Sequence, residues 1–318
     1  MFLEYFKTAG LAVVQIFVLG ALGYILMRKN ILGEAGLDIL SRLVVEVTLP
    51  VMIFCQLIRD FRFNIYPQWW IFPLISLVVT VLGLAVGYIL SVFIKGGEHK
   101  AQFLSLVTFQ NSGYLPLALI AALLPGSQKD TMFIYIFLFL LGFNLVMWSF
   151  GVYMLSFHKS RKFELGSLFS PAVIAIILSL VIVFLGLNSF IPSALLKPMS
   201  MVGDCTLPLA MMVVGGSLSL LRIRHTDNKA MLLLVLAKLL ILPALGLWFL
   251  SRVSLPPLIG LLIIMQLAVP PATSLSVIVR HYKKEDLLIS QGIFFGHIIG
   301  LVSLPLFLSL YFMLAVIK

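Results

Sequence analysis

Apolar residues in this chain come in long unbroken runs, not in the spaced pattern of a soluble helix or strand. Ten such runs can be marked, at roughly 9–27, 40–58, 71–94, 101–124, 131–157, 168–186, 195–221, 230–250, 258–279 and 288–316. A helix needs about 20 apolar residues to cross the hydrocarbon core of a bilayer. The pattern therefore predicts an all-α polytopic membrane protein of ten transmembrane helices, joined by short connections and carrying no soluble domain. The first run starts near Ala9 and ends before Arg28 and Lys29 without a positively charged leader. It reads as a retained helix and not as a cleaved signal peptide.

Polar residues that break these runs carry the organisation. "EVTLP" (Glu46 to Pro50) in the second run returns as "DCTLP" (Asp204 to Pro208) in the seventh, 158 residues later. Gln110 of "FQNSGYLPL" in the fourth run and Gln266 of "MQLAVPPATS" in the ninth lie 156 apart, close to the same offset. The pairings of runs 2 with 7 and 4 with 9 divide the chain into two five-helix units, 1–158 and 167–318. Five is odd, so the second unit enters the membrane from the opposite side. Inverted repeats of this kind are a recurrent plan of secondary transporters.

Runs 4 and 9 are interrupted at their middles, by Asn111, Ser112, Gly113 and Pro116 in one and by Pro270 and Pro271, then Thr273 and Ser274, in the other. An interior proline removes a backbone hydrogen bond and clashes with the preceding turn, and the first member of a Pro-Pro pair is pushed out of the α region. In lipid such backbone survives only against protein or a wet cavity. Matching breaks in two repeats are the best sequence pointer to a transporter's binding site. Pro116 and Pro271 are expected near the start of second half-helices, whose free amides favour an anion. The expected substrate contacts are thus Gln110, Asn111, Ser112, Gly113, Pro116, Gln266, Pro270, Pro271, Thr273 and Ser274.

Composition and charge narrow the class. The chain is 61% hydrophobic and only 11% charged, with a net charge of +10; a soluble domain carries about 25% charged residues. The basic residues sit in clusters at helix ends, which is a topology signal and not a nucleic-acid footprint. The loops after odd-numbered helices hold fourteen Lys and Arg against seven on the other face, termini included. The positive-inside rule then places both termini on the non-cytoplasmic side of the cell membrane.

Four ionisable side chains fall inside the runs: Glu46, Asp204, Lys238 and His297. A charge at the membrane centre costs about 2.5–3.5 kcal/mol on insertion scales, so each needs a partner or a task. Glu46 and Asp204 are expected either to couple transport by binding a proton or cation, with Thr48 and Thr206 nearby, or to be structural. Lys238 is expected either to pair with Asp204 or to attract an anionic substrate. His297 reads as a satisfied interior histidine, with a proton relay as the alternative; Asn144 reads as packing, as do Cys55 and Cys205, which form no disulfide framework or metal site. No cofactor is expected. Motifs of zinc or serine hydrolases are absent, so the chain is not read as an enzyme. A nucleotide-binding loop is absent too, so ATP is not the direct energy source.

These residues, in this order, resemble the auxin efflux carrier family. The resemblance rests on "VLGALGYILMRKNIL" (Val18 to Leu32), "LSRLVVEVTLPVMIF" (Leu40 to Phe54), "FQNSGYLPLAL", "VGDCTLPLAMMVVGGSLS" (Val202 to Ser219), "KLLILPAL" (Lys238 to Leu245) and "AVPPATS". It implies the fold of bile-acid symporters and sodium/proton antiporters. In that fold helices 4 and 9 cross at the substrate site; helices 1, 2, 6 and 7 form a scaffold, through which a homodimer is expected. Helices 3–5 and 8–10 form an elevator-like transport domain. The implied activity is export or exchange of small organic anions, auxin-like or malate-like carboxylates. The alternative is a Na⁺-coupled organic anion symporter or a cation/proton antiporter of the same fold.

Overall fold

The computed structural model describes residues 1–156, 169–221, 227–281 and 287–317. The connector His158 to Gly166, and the basic residues Lys159, Arg161, Lys162, Arg222, Arg224, Lys283, Lys284 and Lys318 used for the charge count, lie outside the described residues. Every named element is helical, and the only β-type pairing among the described residues is an isolated bridge between Gln110 and Pro271. Among the described residues, six helical stretches are long and apolar enough to cross a membrane: Phe2–Arg28, Ile71–Ser91, Gly126–Leu155, Ser193–Ser219, Asn228–Arg252 and Leu287–Ala315. Shorter apolar helices run over Tyr114–Leu123, Pro171–Phe184 and Pro257–Ala268. The protein is a membrane-embedded, multi-pass helical protein.

In chain order the helices begin with α1 (Phe2–Arg28), α2 (Gly33–Leu43), α3 (Leu49–Asp60), α4 (Ile71–Ser91), α5 (Gly97–Thr108) and α6 (Tyr114–Leu123). They continue with α7 (Gly126–Val146), α8 (Val152–Ser156), α9 (Pro171–Phe184), α10 (Ser193–Asp204) and α11 (Thr206–Ser219). The last five are α12 (Asn228–Leu234), α13 (Leu242–Arg252), α14 (Pro257–Ala268), α15 (Ser274–His281) and α16 (Leu287–Ile317). Three joints are wide π-type turns rather than ends: Val44–Thr48, Met147–Gly151 and Val235–Ile241. Two of them precede a proline. Pro50 and Pro243 have no N–H to return to the carbonyl four residues back, and the helix widens where that bond is missing.

Small residues set how closely the helices approach. Without a hydrophobic difference between lipid and helix surface, packing rests on van der Waals contact between near backbones. A Cβ on Gly215 would fall on the Gly20 carbonyl, and one on Gly23 on the Met212 carbonyl. α1 and α11 therefore touch backbone to backbone. α10 lies on α3 in the same way, since a Cβ on Gly203 would sit 2.9 Å from Met52 Cα. The aromatic core is dominated by α7, where Phe137 and Phe139 are fully buried.

The α1–α11 contact generates a prediction. Gly215→Leu should abolish a monodisperse, folded peak in detergent and collapse the melting temperature, because no side chain can yield space held by backbone. Gly10→Leu, where a Cβ meets nothing within 4 Å, should melt with the unaltered protein.

Candidate functional site

α5 stops at Thr108, and Phe109 is extended (φ −101°, ψ 110°). The chain resumes as a helix only at Tyr114. α14 stops at Ala268, Val269 is extended (φ −70°, ψ 148°), and α15 starts at Ser274. The two unwound segments cross antiparallel and exchange backbone hydrogen bonds. Asn111 N donates to Pro270 O at 2.9 Å, and Ala272 N donates to Phe109 O at 3.0 Å. In a dry interior an unpaired amide or carbonyl costs several kcal/mol, so each break satisfies the other's exposed backbone. Pro116 sits third in α6, within the first turn where its missing N–H has no helical partner to lose. Pro271 departs from expectation: it stands three residues before α15, and its ring packs where a Cβ on Gly296 would meet it at 2.7 Å.

Two residues expected as substrate contacts instead brace this crossing. Gln266 Nε2 donates to the Ser112 carbonyl at 3.2 Å. Lys238, fully buried on the Val235–Ile241 turn, donates from Nζ to the Val107 carbonyl at 3.2 Å. That carbonyl belongs to the last turn of α5, the negative end of its dipole, where a cation is favoured. Lys238 does not pair with Asp204, and neither Lys238, Gln266 nor Pro270 lines the cavity at the crossing.

That cavity has a volume of about 160 Å³, and Gln110, Asn111, Ser112, Gly113, Thr273 and Ser274 all line it. Its other walls are α3 and the Val44–Thr48 turn, α7 and the Met147–Gly151 turn, and the start of α9. No charged side chain lines it among the described residues. Polarity comes from Gln110, whose amide N and O are both buried without a partner, and from the Ser112 hydroxyl in the same state. The first turn of α6 adds amides that lack helical partners and carry partial positive charge. The volume lies below the roughly 300–1,000 Å³ of pockets for drug-sized ligands. A small polar or anionic molecule fits the chemistry better than a bulky one.

Sequence reasoning missed several wall residues, Asn144, Trp148, Tyr114 and Ser170 among them, and one contact. Asn144 and Trp148 line the cavity from α7 and its turn, although Asn144 reads as packing in an apolar run. His297 reads as an interior histidine or a proton relay with no partner assigned; its Nε2 lies 3.5 Å from Asn111 Nδ2. The usable signal was a polar residue in an apolar run opposite a broken one.

The mirrored acids are not in the cavity. Glu46 is half exposed and pairs with Arg42 at 3.1 Å; Asp204 is exposed at the C-terminus of α10. Thr48 and Thr206, each two residues on, are buried with unpartnered hydroxyls. Residues two apart lie on opposite sides of a helix, so acid and hydroxyl cannot form one ion shell. Cys55 is buried as expected, but Cys205 is exposed, for it shares the outward face of Asp204.

Comparison with known proteins agrees with this architecture. The family described as "Membrane transport protein" matches residues 9–164 and 155–308. An uncharacterized transporter of Methanothermobacter thermautotrophicus is 26% identical over 297 residues, covering 92% of this chain and 95% of that protein. Protein PIN-LIKES 6 of Arabidopsis thaliana is 30% identical over 120 residues, 37% of this chain. PIN-LIKES 2 of the same plant is 28% identical over 96 residues, 30% of this chain. The matched parts span only 28% and 21% of the two plant proteins. With the family match running nearly end to end, the chain belongs to the membrane transport protein family, the auxin efflux carrier family.

Proposed function

We propose that the protein is a secondary carrier that exports or exchanges small organic anions, auxin-like or malate-like carboxylates, across the cell membrane. The observation that carries this reading is the cavity at the crossing, uncharged yet lined by unpartnered amide and hydroxyl groups beside a helix N-terminus. Such groups favour an anion without trapping it, and a carrier must release what it binds.

The proposed architecture has ten passes in two inverted five-helix units, with both termini on the non-cytoplasmic side. The antiparallel exchange at the two breaks supports it, since related segments meeting about an in-plane axis would pair so. Helices 1, 2, 6 and 7 correspond to α1, α2–α3, α9 and α10–α11 and serve as scaffold, against which the remainder moves in elevator fashion. Glu46 and Asp204 lie on the outward faces of α2–α3 and α10–α11, which suits a contact between two scaffolds in a homodimer better than a role at the substrate.

A second reading has one specific support. Gln110 Oε1, Gln266 Oε1, Ser112 Oγ and Thr108 Oγ are buried oxygens without partners, the ligand type a hard cation takes. A Na⁺-coupled symporter of the same fold would use them.

Liposomes containing the full chain, tested with labelled indole-3-acetate and malate under separately imposed pH, Na⁺ and voltage gradients, decide between these. Gradient-dependent movement of a carboxylate is expected; movement of neither under any gradient overturns the anion reading, and dependence on Na⁺ alone favours the second. Asn111→Ala should weaken binding of the transported anion by about tenfold or more, since a hydrogen bond to a charged group contributes about 1.5–3 kcal/mol. Lys238→Met should act on stability instead. Leaving the Val107 carbonyl unpartnered costs about 1–3 kcal/mol, read as a lower melting temperature; an unchanged melt with lost affinity would return Lys238 to the substrate.

A further inference from the structure

The crossing is approached by a second cavity. It has a volume of about 240 Å³ and lies between α1, α6, α11 and α16, with Phe17, Tyr24, Leu115, Phe294 and His297 among its walls. Asn111 does not line it, and His297 does not line the first. The two side chains meet between the cavities, Asn111 Nδ2 against His297 Nε2 at 3.5 Å.

The other ring nitrogen fixes the tautomer. His297 Nδ1 lies 2.8 Å from the Ile293 carbonyl, which only accepts, so Nδ1 carries the proton. Neutral His297 therefore presents a lone pair at Nε2, and Asn111 must turn its NH₂ toward it. One N–H of Nδ2 is then engaged, and the Asn111 carbonyl oxygen, on the other arm of the amide, is the acceptor a ligand in the crossover cavity meets. An acceptor there repels a carboxylate.

Protonation reverses the arrangement. A proton taken up at Nε2 makes that nitrogen a donor, and donor facing donor is unfavourable. A half-turn of the Asn111 amide restores the bond, with Oδ1 accepting from His297 and Nδ2 now free to donate into the cavity. No covalent bond of either side chain breaks: His297 gains one positive charge and a carboxylate bound at Asn111 brings one negative charge.

We propose that His297 is a positioning residue which couples binding of one proton to binding of one carboxylate through the orientation of the Asn111 amide. The inference deepens the proposed function and rests on Asn111 as a substrate contact. By linkage, each ligand tightens the other by the same factor.

Other titratable groups nearby do not serve this role. α1 contributes Tyr24 to the second cavity, and α6 opens with Tyr114. α11 and α14 carry no titratable side chain. The Val235–Ile241 turn carries Lys238, engaged with the Val107 carbonyl. Glu98, His99 and Lys100 lie in the first turn of α5, Lys229 in the first turn of α12 and Arg252 at the end of α13. Tyr311, on α16 itself, donates to the Pro257 carbonyl.

The test uses the purified full chain and the same two carboxylates, over about pH 6–8 where both probes stay ionised. Calorimetry in two buffers of unlike ionisation enthalpy should show about one proton taken up per probe bound. Affinity should weaken with rising pH, by up to tenfold per unit between the titration of His297 in the free protein and its titration in the complex. His297→Gln offers Asn111 either a donor or an acceptor and should bind with pH-independent affinity. Binding without proton uptake, or the same pH slope in His297→Gln, overturns the proposal. A second measurement needs neither probe nor variant: in protein labelled with ¹⁵N at histidine and asparagine, the Asn111 amide signals should move with the titration of His297. A still amide overturns the coupling even if a carboxylate is carried. A moving amide in a protein that binds neither probe sinks the anion reading and leaves the switch standing.

Discussion

The fold turns on one exchange of main-chain hydrogen bonds in a place without water. Asn111 N to Pro270 O and Ala272 N to Phe109 O let two helices stop midway through a membrane protein without leaving their ends bare. Everything polar nearby is arranged around that exchange. Gln266 takes the Ser112 carbonyl and Lys238 the Val107 carbonyl, so the crossing is braced by one side chain from α14 itself and one from the neighbouring Val235–Ile241 turn. Among the side chains that line the cavity, Gln110 and the Ser112 hydroxyl remain buried without a partner. The candidate binding site is built from these unpartnered side chains together with the first-turn amides of α6.

Legibility in the sequence followed the backbone. The breaks could be read because Asn-Ser-Gly and Pro-Pro act on the backbone of their own chain segment, and local chemistry is what a sequence displays. Asn111, Ser112, Gly113, Thr273 and Ser274 consequently line one cavity, as their positions suggested. Lys238 was recognisable as needing a partner, but its partner is a carbonyl that exists as an acceptor only because α5 ends there. That is a property of another helix. The acids stayed ambiguous for a different reason. Charge alone marks a residue as costly without saying which way it faces, and the wide turn at Val44–Thr48 leaves Glu46 outward on Arg42 while Thr48 turns in. Asn144 and His297 look like isolated polar residues along the chain and acquire meaning only across it.

The packing divides the molecule into parts that cannot yield and parts that can. α1 and α11 meet through Gly20, Gly23 and Gly215 with no side chain between them, which leaves no rotamer to change and therefore no sliding. The crossover cavity lies elsewhere, along a seam filled by side chains such as Leu140, Phe143 and Met147; the second cavity borders this contact at Gly20 and Gly215 and opens on the side of Phe17, Leu115 and Phe294. Side-chain seams can repack between discrete arrangements. Rearrangement about the crossing is thus compatible with the first contact staying fixed.

The widened turn at Val235–Ile241 has an implication for how this chain can vary in length. A π-type turn is equivalent to one residue inserted into an α-helix, and one residue rotates everything beyond it by about 100°. Lys238 reaches the end of α5 from within that turn. Deleting a single apolar neighbour there would restore an ordinary helix and swing the ammonium off its carbonyl, with composition and hydropathy almost untouched. In this stretch of the chain the number of residues is as much a functional property as their identity.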